Sequence, residues 1–407
     1  MTLYLLMALL FLSLALLQAL DAALVGVGLL PWFNGMRWLR IHFITLGSLT
    51  EVLFGALPLL VTAHYGRPRP AFRWSTWLTL NLGILTLMVG IPLVSIVPIY
   101  TGGTLIFIAT LLLMRQLWQL KPNRGQTAVS PARKFYLTGL CFCLVGIIIG
   151  TGLWFGWADT LRIAIPLEAH IHANNWGLMS LVFAGLLVDL YPRWTGKQLA
   201  QPQSVGKIYW LMTLGAAGLT LGPWFDSLFF TVPGLIMHLS ATFWLLYNVI
   251  RPLWGDRTAW TPGLWHITTA YAWILIPVLT APFLILGIGN LPGQTIEANA
   301  PQALIYGWLL QFGFAVLPYF FRRVFQSEAS AQLGGSYLSL VAAHLGGVFL
   351  WVGIFTLDYR GLLHGIAYGL WTVALVPIIM QVWQAARTGL HRLDAAPEAL
   401  ETAVSTD

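Results

Sequence analysis

Apolar residues fill this chain in long blocks separated by short polar breaks. The blocks fall at about 3–30, 39–63, 74–97, 99–118, 134–157, 163–191, 206–224, 228–250, 265–289, 300–320, 336–357 and 361–384. None alternates with a period of two, so each reads as a helix rather than a strand. Most reach the roughly 20 residues needed to cross a hydrocarbon layer. In lipid the backbone must satisfy its own hydrogen bonds, which leaves helices or closed barrels. The pattern predicts an all-α, polytopic membrane protein of twelve helices. One transmembrane domain spans 1–386, and a polar tail, expected to be cytoplasmic and disordered, covers 387–407. Two joints are short: one at Pro98–Thr101, the other at Pro223–Asp226, which reads as either a loop or a kink.

Composition agrees. Charged residues make up 9% of the chain and hydrophobic ones 58%, against roughly 25% charged in a soluble domain. Too few charges exist to cover a water-facing surface, so lipid is the expected solvent. The run from Leu3 to Leu30 is longer than a signal-peptide core and lacks a basic start, so it reads as a retained first helix. With the N-terminus inside, the 21 Lys and Arg divide 17 to 4 in favour of the inner loops and tail. The outer four are Arg37, Arg40, Arg162 and Arg360; the inner set includes Arg67, Arg124, Arg193, Arg322 and Arg392. That bias fits the positive-inside rule and places both termini in the cytoplasm. It also accounts for the net charge of +7 without nucleic acid, for which no motif is present. Cys141 and Cys143 sit within one apolar run and read as packing residues.

Orientation turns the blocks into a depth map. His42, His170, His172 and His364 all fall near the outer start of their helices. His238 and His344 lie deeper, His266 starts a helix on the inner side, and His64 and His391 fall in inner polar regions, where they read as solvated. A single intramembrane histidine usually hydrogen-bonds a neighbouring helix. Four at one level on three helices point instead to metal or haem ligands, because neutral imidazole is the commonest metal ligand and bundle interiors are where such sites are built. His170 and His172 are two apart and so point about 200° apart on a regular helix. Either they serve two sites on opposite sides of it, or only one is a ligand. Glu168 shares a face with His172 and is either the partner that fixes its tautomer or an interfacial carboxylate. Glu51 lies about 13 Å further in than His42; it is either part of a proton path or a neutral acid bonded to a helix. Asp21 lies within reach of Arg37 or Arg40.

Three of the runs share a template. One reads His42-Phe43-Ile44-Thr45-Leu46-Gly47 and continues to Pro58. Another reads His170-Ile171-His172-Ala173-Asn174-Asn175-Trp176-Gly177 and closes with Tyr191-Pro192-Arg193-Trp194-Thr195-Gly196. The last reads Tyr306-Gly307-Trp308 and closes with Leu317-Pro318-Tyr319. A polar outer start, a nearby glycine and an inner proline thus recur every four helices. This resembles the catalytic subunit (subunit I) of the haem-copper oxidase superfamily, which includes nitric oxide reductases. Its twelve helices form three arcs of four with inner termini. The second stretch, together with His42, Thr45, Gly47 and Gly66-Arg67-Pro68, is also similar to NnrS-type haem and copper membrane proteins.

The resemblance implies b-type haem, with copper as a second metal, held by His42, His170, His172 and His364. His42 matches the haem ligand of the second helix. His170 or His172 matches the metal ligand of the sixth, and His364 has no standard counterpart. The tenth and seventh helices here lack the histidines that complete an oxidase centre, so the implied protein is a reduced relative. Its expected role is handling nitric oxide or oxygen, or passing electrons, near the outer leaflet of a bacterial or archaeal plasma membrane. A quinol or a cytochrome would supply the electrons, and Glu51 and Glu168 would serve the chemistry. A proton-coupled secondary transporter without cofactor is the competing reading; twelve helices suit it, and Glu51 is its main support.

Overall fold

The structure is a computed structural model that describes residues 1–31, 37–122, 130–326 and 331–404, with side chains described as far as His391. Arg124 and the side chain of Arg392, both counted in the inner charge, lie outside the described residues. The described chain is helical, without strands. Its main helices are α1 (Thr2–Gly26), α2 (Arg37–His64), α3 (Trp74–Gly90), α4 (Ile96–Gln119), α5 (Pro131–Gly152), α6 (Pro166–Thr195), α7 (Val205–Phe225), α8 (Leu228–Ile250), α9 (Pro262–Ile285), α10 (Gly293–Phe325), α11 (Tyr337–Phe355) and α12 (Arg360–Val404). Among the described residues ten helices are long and apolar enough to cross a membrane. α3 is shorter than these, and α7, which carries Lys207 and several glycines, is not one of the ten.

Each predicted run coincides with one of these helices. The short joint near Pro98 is moved by the structure. The chain turns at Val94, in the left-handed region at φ 49°, and α4 already begins at Ile96. Pro98 therefore sits in the first helical turn, where its missing N–H has no partner to lose. At the second joint, α7 ends at Phe225, Asp226 is left-handed at φ 48°, and α8 starts at Leu228. That is a tight turn rather than a kink. α12 continues as helix to Val404, beyond the apolar run.

The chain divides into two compact units: Met1–Gly55 with Trp260–Asp407, and Ala56–Ala259. Within them one packing scheme appears three times. α2, α6 and α10 are the long, most deeply buried helices. Each is interrupted in its N-terminal half by a seven-residue π-helical stretch, at Phe43–Leu49, Ala173–Met179 and Leu304–Leu310. Each stretch holds the template glycine, and each glycine is pressed by an aromatic ring of the preceding helix. A Cβ on Gly47 would stand 2.6 Å from Phe11 of α1; on Gly177, 2.3 Å from Phe142 of α5; on Gly307, 2.4 Å from Trp273 of α9. Only a residue without a side chain lets the ring in. Pro58, Pro192 and Pro318 follow in the C-terminal halves.

Helical hairpins fill the rest, and small residues bring their backbones together. Gly102 of α4 meets the backbone of Gly83 and Leu87 in α3, and Gly218 of α7 meets Gly234 of α8. Gly346 of α11 receives the indole of Trp371 of α12. Close approach at glycine is how membrane helices gain packing without a hydrophobic driving force between them. α1 also belongs to this scheme, with Gly26 against Gly365 of α12.

Candidate metal and cofactor site

The π-helical stretches fix where the histidines stand. His42 and His172 are each the last residue before the widened turn, five positions ahead of the template glycine. The same register in α10 is held by Gln302, which accepts a hydrogen bond from the Tyr368 hydroxyl. π-turns inside α-helices are often found at functional sites; here they set imidazole positions in two helices and an amide in the third.

The first unit contains His42 and His364. The His42 ring stacks on Trp38 at 4.0 Å between centroids, and its Nδ1 donates to the Trp38 carbonyl at 2.8 Å. His364 lies against Gly353 of α11, within electrostatic reach of Arg360, Arg37 and Arg40, and its Nε2 is buried with no hydrogen-bond partner among the described residues. Arg40 lies over the Tyr368 ring at 4.7 Å, and Arg37 donates to the Ala298 carbonyl. This arginine–tyrosine–glutamine group, near the N-terminal ends of α2, α10 and α12, was not legible in the depth map. Counting five residues back from Gly307 would have found Gln302. Asp21 is buried.

The second unit contains His170 and His172, and their side chains diverge as their spacing predicts. His170 Nδ1 donates to the Gly146 carbonyl of α5 at 2.8 Å; His172 Nδ1 donates to the Leu219 carbonyl of α7 at 2.6 Å. A carbonyl can only accept, so in His42, His170 and His172 the proton sits on Nδ1. Nε2 is then the lone-pair nitrogen, the tautomer that ligates a metal or haem iron, and a carbonyl partner at Nδ1 is a common way to fix it. At Nδ1 of His172 the tautomer-fixing role expected of Glu168 is filled by Leu219. Glu168 is half-buried at the start of α6.

The deeper histidines are engaged differently. His344 Nδ1 accepts from the indole N–H of Trp273 at 3.1 Å, so its proton is on Nε2, which donates to Thr269 Oγ1 at 2.8 Å. Gln311, fully buried, closes the group with its side-chain amide 3.0 Å from the same Nε2. With both nitrogens taken, His344 has no lone pair to offer. His266 Nε2 is likewise held by Ser339 at 2.8 Å. His238 is different: it is 3% exposed, and Trp176 lies edge-on to both it and His172, at centroid distances of 5.1 and 6.2 Å.

Glu51 is fully buried four residues after Gly47, the register that Gln311 holds after Gly307, and it lies within electrostatic reach of Tyr4. His64, expected to be merely solvated, pairs with Asp189 at 3.6 Å, and Tyr136 donates to the other oxygen of Asp189 at 3.3 Å. The ends of α2 and α6 meet there, a contact that no single-helix reading contains. Among the described residues no three His, Cys, Asp or Glu side chains gather closely enough to hold a metal ion unaided. The donor sets are therefore of one or two imidazoles, which suits the axial positions of a haem or a low-coordinate metal rather than a three- or four-ligand protein cage. No protein-family model and no curated protein matches the chain.

Proposed function

We propose that this chain is a haem-binding integral membrane protein, a reduced relative of the haem-copper oxidase and NnrS-type proteins. It would have twelve crossings in three arcs and both termini in the cytoplasm of a bacterial or archaeal plasma membrane. The observation that carries the reading is the imidazole tautomer. His42, His170 and His172 each have Nδ1 committed to a backbone carbonyl, and His364 keeps a buried Nε2 without a partner among the described residues. Leaving such an atom unsatisfied costs about 1–3 kcal/mol, a cost that ligation removes.

His42 and His364, in one unit, would hold a b-type haem. A haem there would bind nitric oxide or oxygen at an open axial position, or pass electrons if both positions were filled. The chain's own contribution is to orient the imidazoles through Trp38 and to place the charge of Arg37, Arg40 and Arg360 beside His364. The burial of Glu51 keeps a titratable group in the core of α2, suited to carrying a proton inward from the chemistry. A cofactor-free, proton-coupled transporter would also use Glu51 but would leave the tautomer pattern without a purpose.

The test is the visible spectrum of purified protein, expressed with ample haem, before and after dithionite. A Soret band that shifts on reduction is expected, and its loss in His42→Ala and His364→Ala. A colourless protein overturns the reading.

A further inference from the structure

The sequence treats His238 as merely deep, but the fold sets it beside His172. α7 and α8 approach so closely at this level that a Cβ on Gly215 would come 2.6 Å from the His238 backbone nitrogen. This close packing seats the His238 ring against Trp176, whose indole edge also meets His172. Thr242 donates its hydroxyl proton to the His238 carbonyl at 2.9 Å, so its oxygen is left to accept from His238 Nδ1, 3.4 Å away. That arrangement leaves Nε2 as the lone-pair nitrogen. The Trp176 carbonyl also lies near the ring, but Nε2 is buried and has no hydrogen-bond partner among the described residues. His172 offers the same atom, because its Nδ1 is committed to Leu219. Two neutral nitrogen donors thus arrive from α6 and α8 in one unit, with an aromatic ring excluding water beside them.

We propose that His172 and His238 form a two-imidazole site for a monovalent copper ion. The site gives a place to the copper left open in the functional reading above, on which it rests only for the expectation that copper is present. The charge state follows from burial. The penalty for taking an ion out of water rises with the square of its charge, and no carboxylate is among the contacts of this pair to offset a divalent ion. Imidazole suits copper, and a filled d shell imposes no geometry that would require further ligands. Divalent zinc, in contrast, takes four ligands almost without exception in structural sites. Trp176, whose Nε1 is buried and can only donate, fits a shield over the ion and cannot compete as a ligand.

The experiment is Cu(I) titration of the purified full-length protein in detergent, with bathocuproine disulfonate as the competing chelator and the visible spectrum read on the same samples. The wild type should retain one Cu(I). His172→Gln and His238→Gln should each weaken it by more than about tenfold, the lower bound for losing even a supporting partner of a ligand. His238→Cys, which restores a soft donor, should recover binding, whereas a merely structural His238 would not be rescued. His364→Gln should leave copper unchanged. Undiminished Cu(I) affinity in His238→Gln, no Cu(I) in the wild type, or tighter zinc than copper at this pair would each overturn the site. Loss of the Soret band with copper retained counts against the haem reading alone.

Discussion

Phe142 of α5 presses on Gly177 of α6 so closely that a Cβ there would stand 2.3 Å from the ring. The contact has counterparts at Phe11–Gly47 and Trp273–Gly307. Adding a methyl group must displace a ring, and overpacking of this kind costs about 1–3 kcal/mol. Gly47→Ala, Gly177→Ala and Gly307→Ala should each lower the thermal midpoint in detergent. Gly313→Ala is the control, since its Cβ would meet only Leu49, at 3.4 Å. Equal midpoints for Gly177→Ala and Gly313→Ala would refute the argument.

His344 and His42 should respond in opposite ways to removal. Both nitrogens of His344 are bonded to protein groups, so His344→Gln should leave bound haem intact and appear only as lost stability. His42→Gln should remove haem at little cost in folding. A pyridine haemochrome assay on both variants checks this; the idea fails if His344→Gln is the one that loses haem.

Trp273 fixes the His344 tautomer through its indole N–H and fills a slot between Gly307 and Gly347. Trp273→Phe removes the donor and part of the ring. The expected loss is about 3 kcal/mol or less, set by one unmet buried acceptor plus a small cavity. Nitrogen chemical shifts of labelled His344 should change from a single tautomer to a mixture. An unchanged spectrum would show that Thr269 and Gln311 suffice.

Outside the membrane spans, Asp256 accepts from Lys197 Nζ at 2.6 Å and from Thr258 Oγ1 at 2.6 Å. These bonds, the Lys197 one foremost, hold its carboxyl down to about 2 from an ordinary 3.8. The folded value lies below the unfolded one, so the stabilisation is complete above the ordinary value and is lost as pH falls through the interval toward 2. The site is open to water, so the effect is small. The midpoint difference between wild type and Asp256→Asn should be present at neutral pH and vanish in that acid window. A difference that grows on acidification would reverse the assigned sign.

The helices were legible because an apolar run of the right length can only be a helix in lipid, and every run from Leu3 to the end of α12 has its helix. The turn at Val94 was misplaced by a few residues because Pro98 reads as a breaker, although a proline in the first turn of a helix breaks nothing. The polar-start and glycine template marked α2, α6 and α10, but not the π-turns, whose extra residue has no hydrophobic signature. Depth along one helix is readable from the sequence; neighbourhood between helices is not. That is why His238 was ranked only by level, and why the His64–Asp189 pair and the Tyr368–Gln302 bond went unseen. His170 and His172 were separable because their divergence depends on helix geometry alone.

A single π-turn carries one residue more than the α-helix it interrupts, so it acts as a phase shifter between the two halves of its helix. Deleting one residue within Phe43–Leu49 would restore a regular helix and swing His42 about 100° relative to Glu51, with no side chain of either residue altered. The histidine would remain at its depth and face another neighbour. The direction in which α2 presents its imidazole is thus encoded in the length of the chain between two positions, rather than in the identity of any residue there.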